Sequence, residues 1–269
     1  MLRWLLPLLA LLAPAELQAQ LATAAVQHLI CVDEFRGRCY PVDIRILPAL
    51  RRIWRPQEIL TLSASSPLPV VRPADPLAIM FTSGSSGAPK GVLHSHGNAL
   101  AAVRSGLGAR CITADTRLYL PMPFFWVGGF GAGILSALAA GATLVTEAIP
   151  SPSTTLDLLR RERVTLFRGW PAQAEALARH LDEPLPDLRL GSLEALLPVS
   201  LRALPGARAS LFGMTESFGP YCGYPADTDM PKSAWGSCGK PFAGMDVRIV
   251  GTESGIPVAP GVEGEIQIR

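Results

Sequence analysis

The sequence lacks the cysteine pattern of a disulfide-stabilised or zinc-binding protein. It has five cysteines, which is an odd number, and no two of them stand in C-x-x-C spacing. This pattern predicts neither a disulfide framework nor a zinc site. It favours reduced thiols in a cytoplasmic protein.

The sequence also lacks a strong excess of charge of one sign and has no long hydrophobic run. Basic residues number 24 and acidic residues 22, they are interleaved, and the formal net charge is +2. Nothing in this balance indicates a nucleic-acid partner. The apolar run at residues 5–12 is too short for a membrane span, which needs about 20 residues. The sequence therefore predicts no stable membrane insertion.

The N-terminal segment allows two interpretations. Arg3 precedes the apolar run, and polar residues follow at positions 16–20. A basic start, a short apolar run and small residues near a polar boundary resemble a secretory signal peptide. The same run also fits an ordinary helix packed on a hydrophobic core, and the segment alone leaves both open.

The pattern of apolar residues predicts an α/β fold. The chain has 269 residues, 49% of them hydrophobic, which allows one or two domains with a sizeable core. Strand-like runs are predicted at residues 28–32, 77–81, 91–94, 117–120, 142–146 and 164–167. Helical patterns are predicted at residues 98–107, 128–140, 156–163 and 171–181. This alternation predicts layered, largely parallel sheets with flanking helices. Alternating residues at 245–250 and 264–269 predict a β-rich end.

A glycine-rich segment follows the apolar run at residues 77–81, and from Phe81 to Gly91 it reads F-T-S-G-S-S-G-A-P-K-G. Glycines let the backbone wrap closely around an anion, so that successive N–H groups can point at phosphate oxygens. Hydroxyl groups add donors, and Lys90 adds a positive charge on a flexible stem. The predicted phosphate-binding residues are Thr82, Ser83, Gly84, Ser85, Ser86, Gly87, Lys90 and Gly91.

The spacing of this loop differs from that of a Walker A motif. That motif needs G-x-x-x-x-G-K followed by Ser or Thr, whereas Lys90 follows Pro89 and precedes Gly91. Kinase and GTPase interpretations are therefore poor. The alternative is a Ser- and Gly-rich surface turn. The position behind a buried strand, where nucleotide loops occur in α/β sheets, favours a functional loop.

The loop resembles the signature of the adenylate-forming superfamily, which includes acyl-CoA synthetases, peptide-synthetase adenylation domains and luciferases. Residues 211–217, L-F-G-M-T-E-S, resemble the family's aromatic-Gly-x-Thr-Glu segment. The resemblance implies that Phe212 lies against adenine, that Gly213 belongs to the nucleotide-binding residues and that Thr215 contacts the α-phosphate. It also implies that Glu216 binds Mg²⁺, for which a carboxylate beside phosphate is a natural ligand. Taken alone, the segment fits a helix cap equally well.

A third segment concerns the acid substrate. Residues 120–129, L-P-M-P-F-F-W-V-G-G, resemble the family segment that lines the acyl pocket, which implies Phe125, Trp126 and Gly128 as pocket residues. The alternative is that these aromatic residues, with Phe124, belong to the core. Residues 236–241 and 264–269 resemble family segments that mainly build the fold.

Two places near these motifs receive no site assignment. Residues 191–200 lack the family's Gly-Gly-Ala adenine-binding turn, so no adenine contact is predicted there. His94 and His96 follow the phosphate loop, and we interpret them as structural or supporting polar groups rather than as metal ligands.

The resemblance implies an ATP-dependent reaction. A carboxylic acid, fatty or aromatic, would be activated to an acyl-adenylate and then joined to CoA as a thioester. Lys90, Thr215 and Glu216 are the predicted catalytic residues, and ATP, Mg²⁺ and CoA are the expected cofactors. The expected partners are the small-molecule acid and CoA, and the expected location is the cytoplasm.

The resemblance covers residues 75–269 well and residues 1–74 loosely. We therefore expect a partial AMP-binding domain over residues 1–269. The family's Thr-Gly-Asp segment and its small C-terminal domain, which carries a catalytic lysine, are absent from this sequence. The alternative function is a truncated, non-catalytic nucleotide-binding remnant.

Overall fold

The structure is a computed structural model that describes residues 6, 12–35, 37–39, 47–63, 70–82 and 90–269. The chain divides into two units, Met1–Ala99 and Leu100–Arg269. Each unit has buried hydrophobic clusters of its own. The boundary that the motifs suggest, between residues 74 and 75, stays a prediction.

The first unit is built on a helix and a short parallel strand pair. Helix α1 (Pro14–Thr23) buries Leu17 and Leu21 in the core of this unit. Its other described elements are strands β1 (His28–Ile30), β2 (Glu34–Phe35), β3 (Arg38–Cys39) and β4 (Arg52–Trp54), and helix α2 (Pro56–Leu60). Strand β1 pairs in parallel with β4, while β2 pairs antiparallel with β3. Of the apolar run at residues 5–12, the described residues Leu6 and Leu12 pack against this core.

The strands on either side of the glycine-rich loop form a hairpin. Strands β5 (Pro76–Thr82) and β6 (Lys90–Ser95) pair antiparallel, with Thr82 opposite Lys90. The prediction of largely parallel strands is therefore wrong here. Only residues 83–89 connect the two strands, whereas a parallel pair needs a crossover of a dozen or more residues.

Helix α3 (His96–Leu107) follows the hairpin directly, two residues earlier than its apolar pattern predicts. The Asn98 side-chain oxygen accepts a hydrogen bond from the Ser95 backbone N–H at 2.6 Å. The Asn98 N–H in turn donates to the Ser95 hydroxyl at 3.2 Å. Reciprocal bonds of this kind fix a helix start.

The second unit contains the parallel sheet that the sequence predicts. Strand β7 (Arg117–Tyr119) lies between β8 (Thr143–Val145) and β9 (Leu166–Phe167) and pairs in parallel with both. Leu118, Leu166 and Phe167 have no exposed surface. Such apolar strands are typical of a sheet covered on both faces, which confirms the α/β class.

Helices connect these strands. They are α4 (Val127–Gly129), a π-helical turn (Phe130–Leu135), α5 (Ser136–Ala140), α6 (Pro152–Arg161) and α7 (Pro171–Ala178). Helix α5 ends at Gly141, whose φ of 71° is the left-handed value that glycine adopts readily. Helix α6 starts four residues before its predicted start, because Ser151 caps it and Pro152 occupies its first turn.

The C-terminal part of the second unit is antiparallel, which confirms the predicted β-rich end. Strands β10 (Phe212–Met214), β11 (Gly219–Gly223) and β12 (Lys240–Pro241) form one sheet, and β13 (Val247–Val250) pairs with β14 (Glu265–Ile268). Short 3₁₀ turns occur at Glu194–Leu196, Val199–Leu201 and Lys232–Ala234. Within the described part of the chain, no helix is both long and apolar enough to cross a membrane.

Candidate functional site

The structure describes the two ends of the predicted phosphate loop. Thr82 and Lys90 face each other as the last pair of the β5–β6 ladder. Lys90 is exposed and forms no ion pair with any described residue. Gly91 pairs with Phe81 in the same ladder. The other predicted loop residues, Ser83, Gly84, Ser85, Ser86 and Gly87, lie outside the described residues, and their role stays a prediction.

The two histidines after the loop occupy supporting positions. His94 is buried, and its Nδ1 lies 3.0 Å from the Asn98 amide nitrogen. His96 is the first residue of helix α3. Among the described residues, no group of three His, Cys, Asp or Glu side chains could hold a metal ion.

The predicted nucleotide-contacting residues of the second unit lie on the β10–β11 hairpin. Phe212, Gly213 and Met214 form β10, and residues 215–218 form the turn to β11. A helix cap, the alternative interpretation of this segment, is therefore wrong. The reason is local, because the segment pairs with β11 instead of entering a helix.

The Ser217 hydroxyl fixes the shape of this turn. It accepts a hydrogen bond from the Met214 N–H at 3.2 Å and lies 2.6 Å from the Gly219 carbonyl oxygen. Gly213 lets the strands approach closely, since a Cβ at that position would lie 2.1 Å from the same Gly219 oxygen. Sequence reasoning missed Ser217 and Gly219, although Ser and Gly are both residues that favour turns.

Thr215 and Glu216 lie in this turn, where Thr215 is half-buried. Glu216 is exposed, and no described residue forms an ion pair with its carboxylate. The Thr215 carbonyl accepts a hydrogen bond from the Phe218 N–H at 3.0 Å, which closes the turn. Both side chains are thus available to a ligand at the tip of the hairpin.

Phe212 offers a partly exposed aromatic ring beside this turn. It is 38% exposed, and its ring lies edge-on to Tyr221 with centroids 5.6 Å apart. Tyr221 is almost completely buried and holds the Phe212 ring from one side. A ring supported in this way can stack against a flat aromatic ligand.

A cavity of about 490 Å³ lies within the second unit, next to the hairpin. Leu211, which precedes β10, and Pro220, which lies in β11, contribute to its wall. The volume falls in the range of small-molecule pockets, about 300–1,000 Å³. Apolar side chains supply most of the remaining wall, among them Ile112, Leu118, Leu120, Met122 and Trp170.

The predicted acyl-pocket residues relate to this cavity in different ways. Gly128 lines it, whereas Phe125 and Trp126 are not among its wall residues. The Trp126 ring packs edge-on against Trp170, which does line the cavity, with centroids 5.8 Å apart. Phe124 and Trp126 are 40% and 46% exposed, so the alternative that these aromatics belong to the core is wrong for them.

The segment at residues 191–200, which received no site assignment, contributes to the cavity. Ser192, Leu193, Glu194 and Ala195 all lie in its wall. The Ser192 hydroxyl accepts a hydrogen bond from the Phe167 N–H at 3.1 Å, which fastens the segment to strand β9. No motif revealed this, because the contact depends on how the chain returns to the end of β9.

Three arginines line the cavity, and one of them is neutralised by neighbouring carboxylates. The Arg208 Nε lies 3.0 Å from an Asp229 oxygen and 3.8 Å from a Glu194 oxygen. Arg110 and Arg168 form no ion pair with a described carboxylate. Arg110 is 5% exposed and donates to the Ser136 hydroxyl at 3.1 Å.

Burial weakens the protonated form of both unpaired arginines. It lowers the pKa of Arg110 to about 10, and the positive charge of Arg168 lowers it further. Burial likewise lowers the pKa of Arg168, whose guanidinium donates to the Gly191 carbonyl at 2.8 Å. Guanidinium groups stay charged at neutral pH in proteins, so this wall of the cavity is cationic.

The comparisons with known proteins agree on one family. The family described as "AMP-binding enzyme" matches residues 4–269. Indoleacetate–CoA ligase of Aromatoleum aromaticum is 33% identical over 251 residues, which cover 88% of this chain and 48% of that protein. Feruloyl-CoA synthase of an Amycolatopsis species is 33% identical over 204 residues, covering 72% of this chain and 40% of the relative. The chain thus spans less than half the length of these relatives.

A solved structure gives the same fold. O-succinylbenzoate coenzyme A synthetase from Bacillus subtilis, in complex with ATP and magnesium ion, matches with a TM-score of 0.73 at 21% identity, over 96% of this chain and 53% of that chain. Identity this low shows the fold alone, and the family match supplies the relationship. Together they confirm the resemblance on which the site assignments rest. The chain belongs to the AMP-binding enzyme family.

Proposed function

We propose that this chain takes part in the ATP-dependent activation of a carboxylic acid to an acyl-adenylate, which then reacts with CoA to form a thioester. The family match over residues 4–269 carries this proposal. The cavity beside the β10–β11 hairpin supports it, because an acid bound there lies next to the residues assigned to the nucleotide.

The proposed nucleotide contacts follow from the side chains at the two hairpins. Lys90 would bind the departing phosphates, for which its exposed, unpaired ammonium group is suited. Thr215 would donate to the α-phosphate, and Phe212 would stack on adenine. Positioning and neutralisation of charge account for most of the catalysis in such a reaction.

Glu216 fits the role of a magnesium ligand. Its carboxylate is exposed and has no ion-pair partner among the described residues. Mg²⁺ sites in nucleotide enzymes commonly use one or two carboxylates, with phosphate oxygens and water completing the shell. A bound Mg²⁺ would supply charge neutralisation at the phosphates, and Glu216 would hold it in place.

The wall of the cavity favours an aromatic acid. Leu118, Leu120 and Met122 provide apolar surface, and Trp170 provides an aromatic face. The two curated relatives named above are a CoA ligase for indoleacetate and a synthase for feruloyl-CoA. An aromatic acid is therefore our first choice, with CoA as acceptor and the cytoplasm as location.

Acid-dependent exchange of labelled pyrophosphate into ATP tests the proposal. Because this sequence lacks the family's Thr-Gly-Asp segment and its C-terminal lysine, we expect only slow exchange, with one or more members of a panel of aromatic acids in the presence of Mg²⁺. Lys90→Ala should abolish the exchange, while Lys232→Ala, which removes another exposed lysine, should leave it unchanged.

The same samples also test the alternative function, that of a nucleotide-binding remnant without catalysis. Binding of Mg-ATP, measured by calorimetry, without exchange for any acid would favour a non-catalytic nucleotide-binding protein. Absence of both binding and exchange would overturn the proposal.

A further inference from the structure

We propose that the acid bound in the second-unit cavity carries a second carboxylate, remote from the one that is activated, and that Arg110 and Arg168 bind it. This inference rests on the proposed function and names its substrate class as an aromatic dicarboxylic acid. Neither arginine belongs to the segments whose sequences resemble the family.

The burial of Arg110 is the first argument. Only 5% of this residue is exposed, although it lines the cavity. Its Nη1 donates to the Ser136 hydroxyl at 3.1 Å, while its Nε has no hydrogen-bond partner. A buried N–H of a charged group without a partner is costly. A ligand oxygen in the cavity would remove that cost.

The charge balance of the cavity is the second argument. Among the described residues, its wall contains three arginines and two carboxylates, those of Glu175 and Glu194. Glu194 accepts from the Ala203 N–H at 2.8 Å and faces Arg208, so it is already engaged. No described carboxylate lies within ion-pair distance of Arg110 or Arg168. Buried Arg110 and half-buried Arg168 therefore have no ion-pair partner among the described residues, and the Glu194 carboxylate acts on Arg168 only from beyond ion-pair distance.

The anchoring of the two guanidinium groups is the third argument. Arg110 is held by Ser136, whose hydroxyl donates to the Gly131 carbonyl at 2.7 Å in the π-helical turn. Arg168 is held by the Gly191 carbonyl at 2.8 Å. Because both are fixed by neutral partners, they are positioned before a ligand arrives and keep their charge for it. Arginine binds carboxylates with two parallel hydrogen bonds, which adds geometric selectivity.

The rest of the wall limits the shape of the ligand. Ile112 and Leu118 border the same cavity, and Trp170 presents an aromatic face. A ligand with an apolar ring and an anionic group at one end matches both surfaces. A ring that carries only the activated carboxyl would leave the two cations unpaired.

Binding of matched acids tests the inference on the unmodified chain. Calorimetry with benzoate against terephthalate, and with cinnamate against para-carboxycinnamate, compares acids that differ by one carboxylate. We expect the diacid of a pair to bind about 10- to 100-fold more tightly, as two charge-assisted hydrogen bonds allow. Equal binding, or tighter binding of the monoacids, would overturn the inference without touching the proposed function.

Two variants assign the effect to the arginines. Arg110→Gln and Arg168→Gln should reduce the affinity for the diacid to that for the monoacid, with the monoacid affinity little changed. Arg179→Gln, which removes an exposed arginine of the same unit, should preserve the preference. An unchanged preference in both cavity variants would contradict the assignment.

A pair of arginines can also bind phosphate. The same two variants distinguish phosphate binding from carboxylate binding. If Arg110→Gln and Arg168→Gln weaken the binding of pyrophosphate and ATP but leave the diacid preference intact, the arginines serve the nucleotide and the inference is wrong. A second outcome is that no acid supports exchange, while the chain still prefers the diacid and both variants lose that preference. The inference then stands as a binding property, and the proposed function fails.

Discussion

The ring of Phe218 lies edge-on against the ring of Phe130, with centroids 6.1 Å apart and an interplanar angle of 77°. Phe218 is the last residue of the turn that carries Thr215 and Glu216, and Phe130 is the first residue of the π-helical turn beside the cavity. A Cβ at Gly131 would lie 3.1 Å from the Phe218 ring, so there is little free space around it. The contact ties the tip of the nucleotide hairpin to the wall of the proposed acid pocket.

The backbone of Phe218 is strained, which predicts an unusual order of variant stabilities. Its φ is 57°, a left-handed value that costs a non-glycine residue about 1 kcal/mol or more. Phe218→Ala should lower the free energy of unfolding by about 3–5 kcal/mol, since the ring is 2% exposed. Phe218→Gly loses the same ring but relieves the strain, so it should be at least as stable as Phe218→Ala. Urea denaturation of both variants gives the order, and the reverse order would show that the strain is not real.

Close approach of the hairpin strands predicts a severe effect of Gly213→Ala. The added Cβ would lie 2.1 Å from the Gly219 carbonyl oxygen, and backbone cannot move aside as a flexible side chain can. We expect a loss of at least about 2 kcal/mol of stability, together with weaker Mg-ATP binding. Gly108→Ala is the matched control, because its Cβ would meet nothing within 4 Å. Equal melting temperatures for the two variants would contradict the close approach.

The free carboxylate of Glu216 predicts a metal-dependent effect. Glu216→Gln should weaken the binding of Mg-ATP by about 10-fold, since the variant loses a charged ligand to the ion. Binding of ATP without the metal should change little. Calorimetry with and without Mg²⁺ measures both, and Glu253→Gln provides an exposed carboxylate as control. Equal weakening with and without the metal would assign Glu216 a role other than metal binding.

The unpaired charge of Arg110 predicts that its removal does not destabilise the fold. Burial and the positive charge of Arg168 lower its pKa to about 10, below its ordinary value, which means that folding disfavours the charged form. This cost is fully present below about pH 10 and declines as the pH rises above that value, because the unfolded chain then binds more protons than the folded one. At pH 7, Arg110→Met should therefore leave the free energy of unfolding unchanged or raise it by up to about 2 kcal/mol.

Arg189→Met is the comparison for this prediction. Its Nη2 donates to the Cys111 carbonyl at 2.7 Å and to the Thr116 hydroxyl at 2.6 Å. Loss of these bonds should cost about 1–3 kcal/mol. Thermal denaturation at pH 7 compares the two. A strong destabilisation by Arg110→Met would indicate a purely structural arginine and would weaken the case for a ligand at that wall.

Much of the second unit could be predicted from the sequence. The apolar runs around Leu118, Leu144 and Leu166 identify the strands of the parallel sheet, because buried strands require continuous apolar residues. The ends of the helices were harder to predict. Helix α6 begins at Pro152 because of its Ser151 cap, which apolar periodicity does not register.

The direction of the β5–β6 pairing could not be read from apolar runs. Residues 77–81 and 91–94 have the composition of strands in either orientation, and the length of the connection between them decides that they pair antiparallel. The Phe212–Glu216 motif was recognised, but its conformation, a hairpin turn instead of a helix start, depends on pairing with β11.

The sequence by itself determined the family, the α/β class and the residue types that suit a nucleotide and its metal ion, because these are properties of contiguous segments. Only the tertiary structure decided which residues form the cavity wall. Arg110, Arg168 and the segment at residues 192–195 are far apart in the chain and belong to no common motif. Arg168 follows β9, which pairs with β7, while Arg110 comes before β7 and residues 192–195 come after Gly191. These separate segments border one cavity only when the apolar strands are buried together.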